Sequence, residues 1–250
     1  MNDNEKDLLK PAINGTTSVL EAAKANAPNV KRIVVTSSFA SIIDPTKGTW
    51  PEHTYSEADW NPFTYEQAAG TKDTVVGYVA SKRLAELSAW DFVKEQKPQF
   101  TISTICPPMV YGPVAHYVPS LDKLNTSVAD IYRLFNGSTK EVPVTTFPLF
   151  VDVRNVGQAH LRAFEVPEAA NQRFLIESGN FFYSQVCEIL LSEFPQLKGK
   201  VPVPSGSNPP VFKATNEKAT SILGISFYPL KETIVDLAKS VFALEEKLKA

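Results

Sequence analysis

The sequence predicts an α/β chain that carries part of a doubly wound parallel sheet together with a small helical lobe. Three observations predict it. Helical and strand patterns follow one another in the order αβ-αβ-α-βα-βα-α, the arrangement of crossover units. The apolar centre of KRIVVTSS does not alternate with polar residues, which suits a parallel strand covered on both faces. The run GYVASKRLAE, built of good helix formers, sits between two such apolar segments.

Taken in order, residues from Asn4 to Ala25 read as a helix, with Leu8, Leu9, Ile13, Val19, Leu20 and Ala23 as its apolar positions and Pro11 marking a kink or early turn. Lys31 to Ser38 follows as a strand. Asp44 to Lys72 is a long connection rich in proline and in rings (Trp50, Tyr55, Trp60, Phe63, Tyr65); the rings argue against disorder and are expected to anchor the loop or to border a ligand. Asp73 and Thr74 stand where a helix cap is expected, and the helix runs to about Glu95. Phe100 to Cys106 is the next strand, and the proline pair after it breaks the apolar run. Ser120 to Phe135 reads as one amphipathic helix, and FPLFVDVRNVGQAHLRAFE as a short strand and a helix. Arg173 to Glu177 is a strand, Tyr183 to Phe194 a helix stopped by Pro195, and Leu230 to Leu248 a final helix with one apolar stripe.

Composition narrows the classes. The 250 residues, 43% hydrophobic and 21% charged, suffice for one large α/β domain or a domain with a lobe. A formal charge of -2 gives no ground for a nucleic-acid or anionic-membrane partner. No apolar run reaches the length of a membrane span, and MNDNEKDLLK lacks the apolar core of a leader. Cys106 and Cys187 sit in apolar surroundings and read as free buried thiols, so a reducing, cytoplasmic setting is expected. His53, His116 and His160 have no metal-ligand spacing, and no metal site is expected.

The chemistry centres on Tyr78 and Lys82. Four residues apart, they share one helix face, with Ala85 and Ala89 continuing the stripe and leaving room for a neighbour. An ammonium one turn from a phenol favours the phenolate and so prepares the phenol to give up its proton. Upstream, Ser38 stands at the carboxyl end of a strand, where ligands gather in open parallel sheets. A serine, a tyrosine and a lysine converging there suggest a carbonyl site, with Ser37 as the rival to Ser38.

These residues resemble the Ser-Tyr-Lys triad of the extended short-chain dehydrogenases/reductases, within the wider NAD-dependent epimerase/dehydratase family. The resemblance extends along nearly the whole chain, through NEKDLLKPAINGT, VVTSSFASI, PPMVYGP, FVDVRNVGQAHLRAF and LGISFYPLKETIVD. The Trp60-Asn61-Pro62 loop and the carboxy-terminal pieces are most similar to the yeast-type NADPH-dependent methylglyoxal and carbonyl reductases, which sit beside dihydroflavonol and cinnamoyl-CoA reductases. The resemblance implies a Rossmann-type sheet, an NADP cofactor and a small aldehyde or ketone as substrate. It assigns Tyr78 as proton donor, Lys82 to the nicotinamide ribose hydroxyls, and Ser38, second of its pair, to the substrate oxygen. Pro107 to Val110 would lie along the nicotinamide, and Phe39, Ile43 and Val75 would line an apolar pocket. Residues 1–178 are expected to form the incomplete cofactor domain, with 113–146 contributing to the substrate lobe, and 179–250 the rest of that lobe. Asp152 and Arg154 match a family signature and are expected to form an ion pair or cap.

One departure is large. Members of the family open with a glycine-rich turn that cradles the pyrophosphate, but no two of the eleven glycines lie closer than seven residues. Roughly the first eighty residues of the family pattern are absent. The expectation is therefore that the chain as written neither holds NADPH tightly nor turns over. A non-catalytic remnant or interaction protein is the reading from a different class, and a sugar-nucleotide epimerase or dehydratase the third.

Overall fold

The computed structural model describes residues 3–249. In chain order its main elements are α1 (Lys10–Asn26), β1 (Arg32–Thr36), β2 (Thr54–Tyr55), α2 (Tyr65–Ala69), α3 (Thr74–Gln96), β3 (Thr101–Cys106), β4 (Met109–Tyr111), α4 (Thr126–Phe135), β5 (Leu149–Asp152), α5 (Val153–Glu165), β6 (Gln172–Leu175), β7 (Gly179–Asn180), α6 (Tyr183–Glu193), β8 (Lys213–Ala214), α7 (Glu217–Leu223) and α8 (Leu230–Lys249). The chain forms two compact units that interleave along the sequence. The first comprises residues 1–108, 158–176 and 212–225; the second comprises 109–157, 177–211 and 226–250. They cross the sequential boundary expected near residue 178. Among the described residues no helix is long and apolar enough to cross a membrane.

In the first unit, β1, β3 and β6 form a parallel sheet in the order β1-β3-β6, with Ile33 opposite Ile102 and Ile105 opposite Phe174. Ile102 through Cys106 are buried, as the uninterrupted apolar pattern requires. β1 differs from its expectation. It is only half-buried, because among the described residues it pairs on one side alone, with β3. Arg32, which opens β1, donates to the carbonyls of Ala163 (2.8 Å), Val166 and Pro167 (3.1 Å), and so ties the strand to the end of α5 and the turn after it.

Pro11 acts as the sequence implied. Residues Glu5–Leu9 form one wide π turn, with the Lys10 amide donating back to the Glu5 carbonyl, and α1 starts regularly with proline in its first turn, where its missing N–H costs nothing. The long connection from Asp44 is ordered by its rings: Tyr55 is fully buried, edge-on to Phe39 (5.4 Å) and to Phe212 (5.1 Å). It also holds β2, which pairs in parallel with β8, and the short helix α2. None of these short elements shows a sequence period.

The start of α3 depends on a close approach. Gly77 faces Asn4, whose buried amide nitrogen lies 3.2, 2.9 and 2.9 Å from the carbonyl oxygens of Ala68, Thr71 and Asp73. A methyl group on Gly77 would overlap Asn4 Cγ, so Asn4 must leave. Gly77→Ala is expected to cost about 1–3 kcal/mol and to free the Ala68–Asp73 segment. Thermal unfolding and limited proteolysis of that segment measure it; an unchanged melting temperature would refute the packing argument.

In the second unit, β4, β5 and β7 form a small mixed sheet: β4 and β5 are parallel, β5 and β7 antiparallel. Pro107 and Pro108 lack N–H donors, so the apolar run ends at Cys106 and resumes in this second sheet. Helix α4 is shorter than the expected Ser120–Phe135. Extended backbone at Asn125, the residue before its first turn, starts it at Thr126, and only a 3-10 turn at Leu121–Lys123 precedes it. Its apolar face packs with α6 and α8 into one core that includes Ile131, Leu134, Phe150, Phe181, Leu190 and Leu237. Within this unit Asp152, fully buried, accepts from Arg154 Nη2 and from Thr233 Oγ1 (both 2.8 Å), while Arg154 also donates to Asp236 (2.8 Å).

Candidate active site

Helix α3 builds the site from its capped end. Asp73 Oδ1 accepts from the amides of Val75 (2.8 Å) and Val76 (3.3 Å), which fixes the first turn and with it the rotational setting of the helix. Tyr78, Lys82 and Glu86 then follow at intervals of four on one face. Tyr78 is 47% exposed, and Lys82 Nζ lies 5.6 Å from its ring centroid. Among the described residues neither the Tyr78 hydroxyl nor Lys82 Nζ has a hydrogen-bond or ion-pair partner, so both are available to a ligand.

Ser38 lies just past the carboxyl end of β1. Its Oγ accepts from the Ala40 amide (3.1 Å) and caps the Phe39–Ser41 turn, so its own hydroxyl proton remains to be donated. The Phe39 amide donates to the Pro107 carbonyl (2.9 Å), which ties this turn to the end of β3. The turn packs against α3. Ser37 is differently placed: its hydroxyl donates to Glu86 Oε2 (2.5 Å).

The expected pocket residues divide. Phe39 and Ile43 are core residues, 0% and 5% exposed, Phe39 being closed in by Tyr55 and Phe212. Val75 is 59% exposed, one turn before Tyr78. Val110 belongs to the second unit. There, on β4, it lines a cavity of about 370 Å³ with Tyr111, Gly112, His116, Asn125 and Val153. Tyr111 is almost wholly buried, its hydroxyl donating to Asp130 (2.9 Å).

Glu86 and Arg173 were not singled out by sequence. Glu86 is 2% exposed and Arg173 6%, and they pair at 2.8 Å through Arg173 Nε. Glu86 Oε1 also accepts from Thr104 (2.8 Å) and Trp90 (3.3 Å); Oε2 accepts from Ser37, from Ser41 (2.6 Å) and from Arg173 Nη2 (3.3 Å). Burial alone would raise the Glu86 carboxyl, but the Arg173 charge and these hydrogen bonds outweigh it and hold the group below the ordinary carboxylate range. Burial, with Glu86 beside it, pushes the Cys106 thiol up to about 12, so Cys106 is no nucleophile at neutral pH. Pattern alone does not mark Glu86, which is one of several charges along α3; Arg173, beside the apolar Phe174 and Leu175 of β6, was the weaker signal available, since buried charges are nearly always paired.

Arranged this way, the exposed end of α3 offers a phenol, an ammonium and a serine-bearing turn beside the carboxyl ends of parallel strands. Hydroxyl-rich and carbonyl ligands suit these donors. Among the described residues no group of three or more His, Cys, Asp or Glu is placed to hold a metal ion.

Comparison with known proteins bears on this arrangement. A family model, NAD_binding_4 (male sterility protein), matches residues 1–146. A putative uncharacterized oxidoreductase of Schizosaccharomyces pombe is 41% identical, covering 99% of this chain and 73% of its own length. The NADPH-dependent methylglyoxal reductase GRE2 of Saccharomyces cerevisiae is 36% identical, covering 98% of this chain and 74% of its own. The crystal structure of yeast methylglyoxal/isovaleraldehyde reductase Gre2 complexed with NADPH superposes with a TM-score of 0.87 at 34% identity, covering 99% of this chain and 74% of that one. The chain therefore belongs to the NAD_binding_4 family, among the reductases of short-chain dehydrogenase type.

Proposed function

We propose that this protein reduces the carbonyl group of a small aldehyde or ketone, with Ser38, Tyr78 and Lys82 as its catalytic residues and NADPH as the reductant. The observation that carries the reading is the pairing of an exposed phenol with an ammonium on one face of α3, both without partners among the described residues, beside the turn that bears Ser38. Bound NADPH supplies the hydride. Ser38 donates its hydroxyl proton in a hydrogen bond to the substrate oxygen and orients it, and the same bond favours the negative charge that grows there. The Tyr78 O–H delivers the proton that completes the alcohol. Lys82, with no carboxylate to satisfy, holds ribose hydroxyls through its N–H donors, and its charge favours the phenolate left behind. Pro107 is assigned to the nicotinamide side, and Val75 to an apolar wall.

With the glycine-rich cofactor segment of the family pattern supplied, Tyr78→Phe keeps the ring and removes the proton donor. The expected result is a fall in kcat of at least ~10²-fold, the usual scale of general acid catalysis, with NADPH affinity within about threefold of the parent. NADPH consumption with methylglyoxal measures the first and a fluorescence titration the second. A variant that reduces methylglyoxal at the parental rate would remove Tyr78 from the mechanism.

A further inference from the structure

We infer that Glu86 is a positioning residue for the proposed site, holding the Ser38 turn at a fixed place relative to Tyr78 and Lys82. The inference rests on the triad reading above and adds the element that sets its geometry. Glu86 continues the Tyr78–Lys82 face one turn further into the protein, so any group tied to its carboxylate is referenced to the helix that carries the phenol and the ammonium. Two of the groups so tied flank Ser38. Ser37 donates to Oε2 at 2.5 Å, and Ser41 shares its single proton between Oε2 at 2.6 Å and the Ser38 carbonyl oxygen at 2.7 Å. One carboxylate oxygen therefore grips the chain on both sides of Ser38.

Arg173 fixes the other side of that carboxylate. It bridges both oxygens, donates to Ser41 Oγ (2.9 Å), and holds the carbonyls of Glu57 (2.9 Å) and Asp59 (2.6 Å) while its guanidinium lies 3.6 Å from the Trp60 ring centroid. A buried ion pair seldom stabilises a fold more than well-packed apolar residues of the same volume would. What this one provides is direction, because a charged acceptor with several donors has few ways to turn. Bonds of this kind matter at a reacting centre, where a displacement of about 1 Å can cost 10²-fold in rate.

The test removes the two tethers and keeps the ion pair. In Ser37→Ala/Ser41→Ala, hydrogen exchange of the Ala40, Ser41, Ile42 and Ile43 amides, all hydrogen-bonded within the turn, should speed up at least ~10-fold. In the same variant kcat for methylglyoxal should fall at least ~10-fold, with KM within about threefold. Thr104→Ala is the control. It takes a hydroxyl from the same carboxylate, 2.8 Å away on β3 and outside the Ser38 turn, and should leave both readouts within about twofold. Equal effects from the two variants, or parental exchange in the serine pair, would overturn the inference and reduce Glu86 to a stabilising residue. Tyr78→Phe, run alongside, separates the two readings. A large loss there with an unaffected serine pair defeats only the positioning role, whereas parental activity in Tyr78→Phe defeats the triad and the inference together.

Discussion

Arg173→Met should destabilise the first compact unit by about 3–5 kcal/mol, the scale for removing one partner of a buried ion pair. Glu86 would then be left at 2% exposure with only hydroxyl, indole and thiol donors around it. Against a typical total of ~5–15 kcal/mol the loss is a large share of what holds the fold. Its pH dependence has a definite sign. In the parent the Glu86 carboxyl lies below its ordinary value, so its contribution is present above the ordinary carboxylate range and is lost as pH falls through the folded value. Without Arg173 burial, the largest cause, is opposed only by the hydrogen bonds from Ser37 and Ser41, and the protonated form gains. The deficit should therefore shrink as the medium is acidified and Glu86 takes up a proton. Urea unfolding at pH 7 and pH 4.5 measures both numbers. A deficit that is equal at the two values would mean that Glu86 takes up no proton in the variant over that range.

Glu177 should act in the opposite direction. It is 4% exposed, and burial pushes its carboxyl from an ordinary 4.5 up to about 7, against an opposing hydrogen bond from the Gly179 backbone. Between those values the folded protein holds a proton that the unfolded chain has released. Stability therefore falls as pH rises through that window, and the penalty is complete above about 7. Each pH step of one between the two values is worth ~1.4 kcal/mol, which sets a ceiling of about 3 kcal/mol. Glu177→Gln removes the titration. It should match the parent near pH 4.5 and exceed it by about 1–3 kcal/mol at pH 8. Denaturant midpoints across that range decide the matter; a variant with the parental pH slope would place the titration elsewhere.

What the sequence made legible were the elements whose own residues determine them. The run Arg32–Thr36, the cap at Asp73, the long α3 and the face shared by Tyr78 and Lys82 could all be read from pattern and spacing. The tie between Ser37 and Glu86 could not, because Glu86 reaches Ser37 from 49 residues away. The same holds for Phe39 and Ile43. Both are buried, and Phe39 is covered by Tyr55 and Phe212, which adjacency to Ser38 cannot convey. The short strands β2, β7 and β8 owe their existence to partners rather than to propensity, since two residues carry no period. The Leu121–Asn125 segment shows the converse: the apolar spacing fits a helix, yet extended backbone at Asn125 keeps it apart from α4.

The interleaving of the two units also governs how the protein is made. On the ribosome Glu86 emerges 87 residues before Arg173, roughly 4–17 s at ordinary synthesis rates, so a charge destined for the interior waits in water for its partner. Over that interval β3 has β1 on one side and nothing yet on the other, because β6 is still to be translated. The nascent chain thus displays a strand edge that invites pairing with another chain. The first unit needs residues 212–225 as well, so it cannot close until 109–157 and 177–211 of the second have also been synthesised.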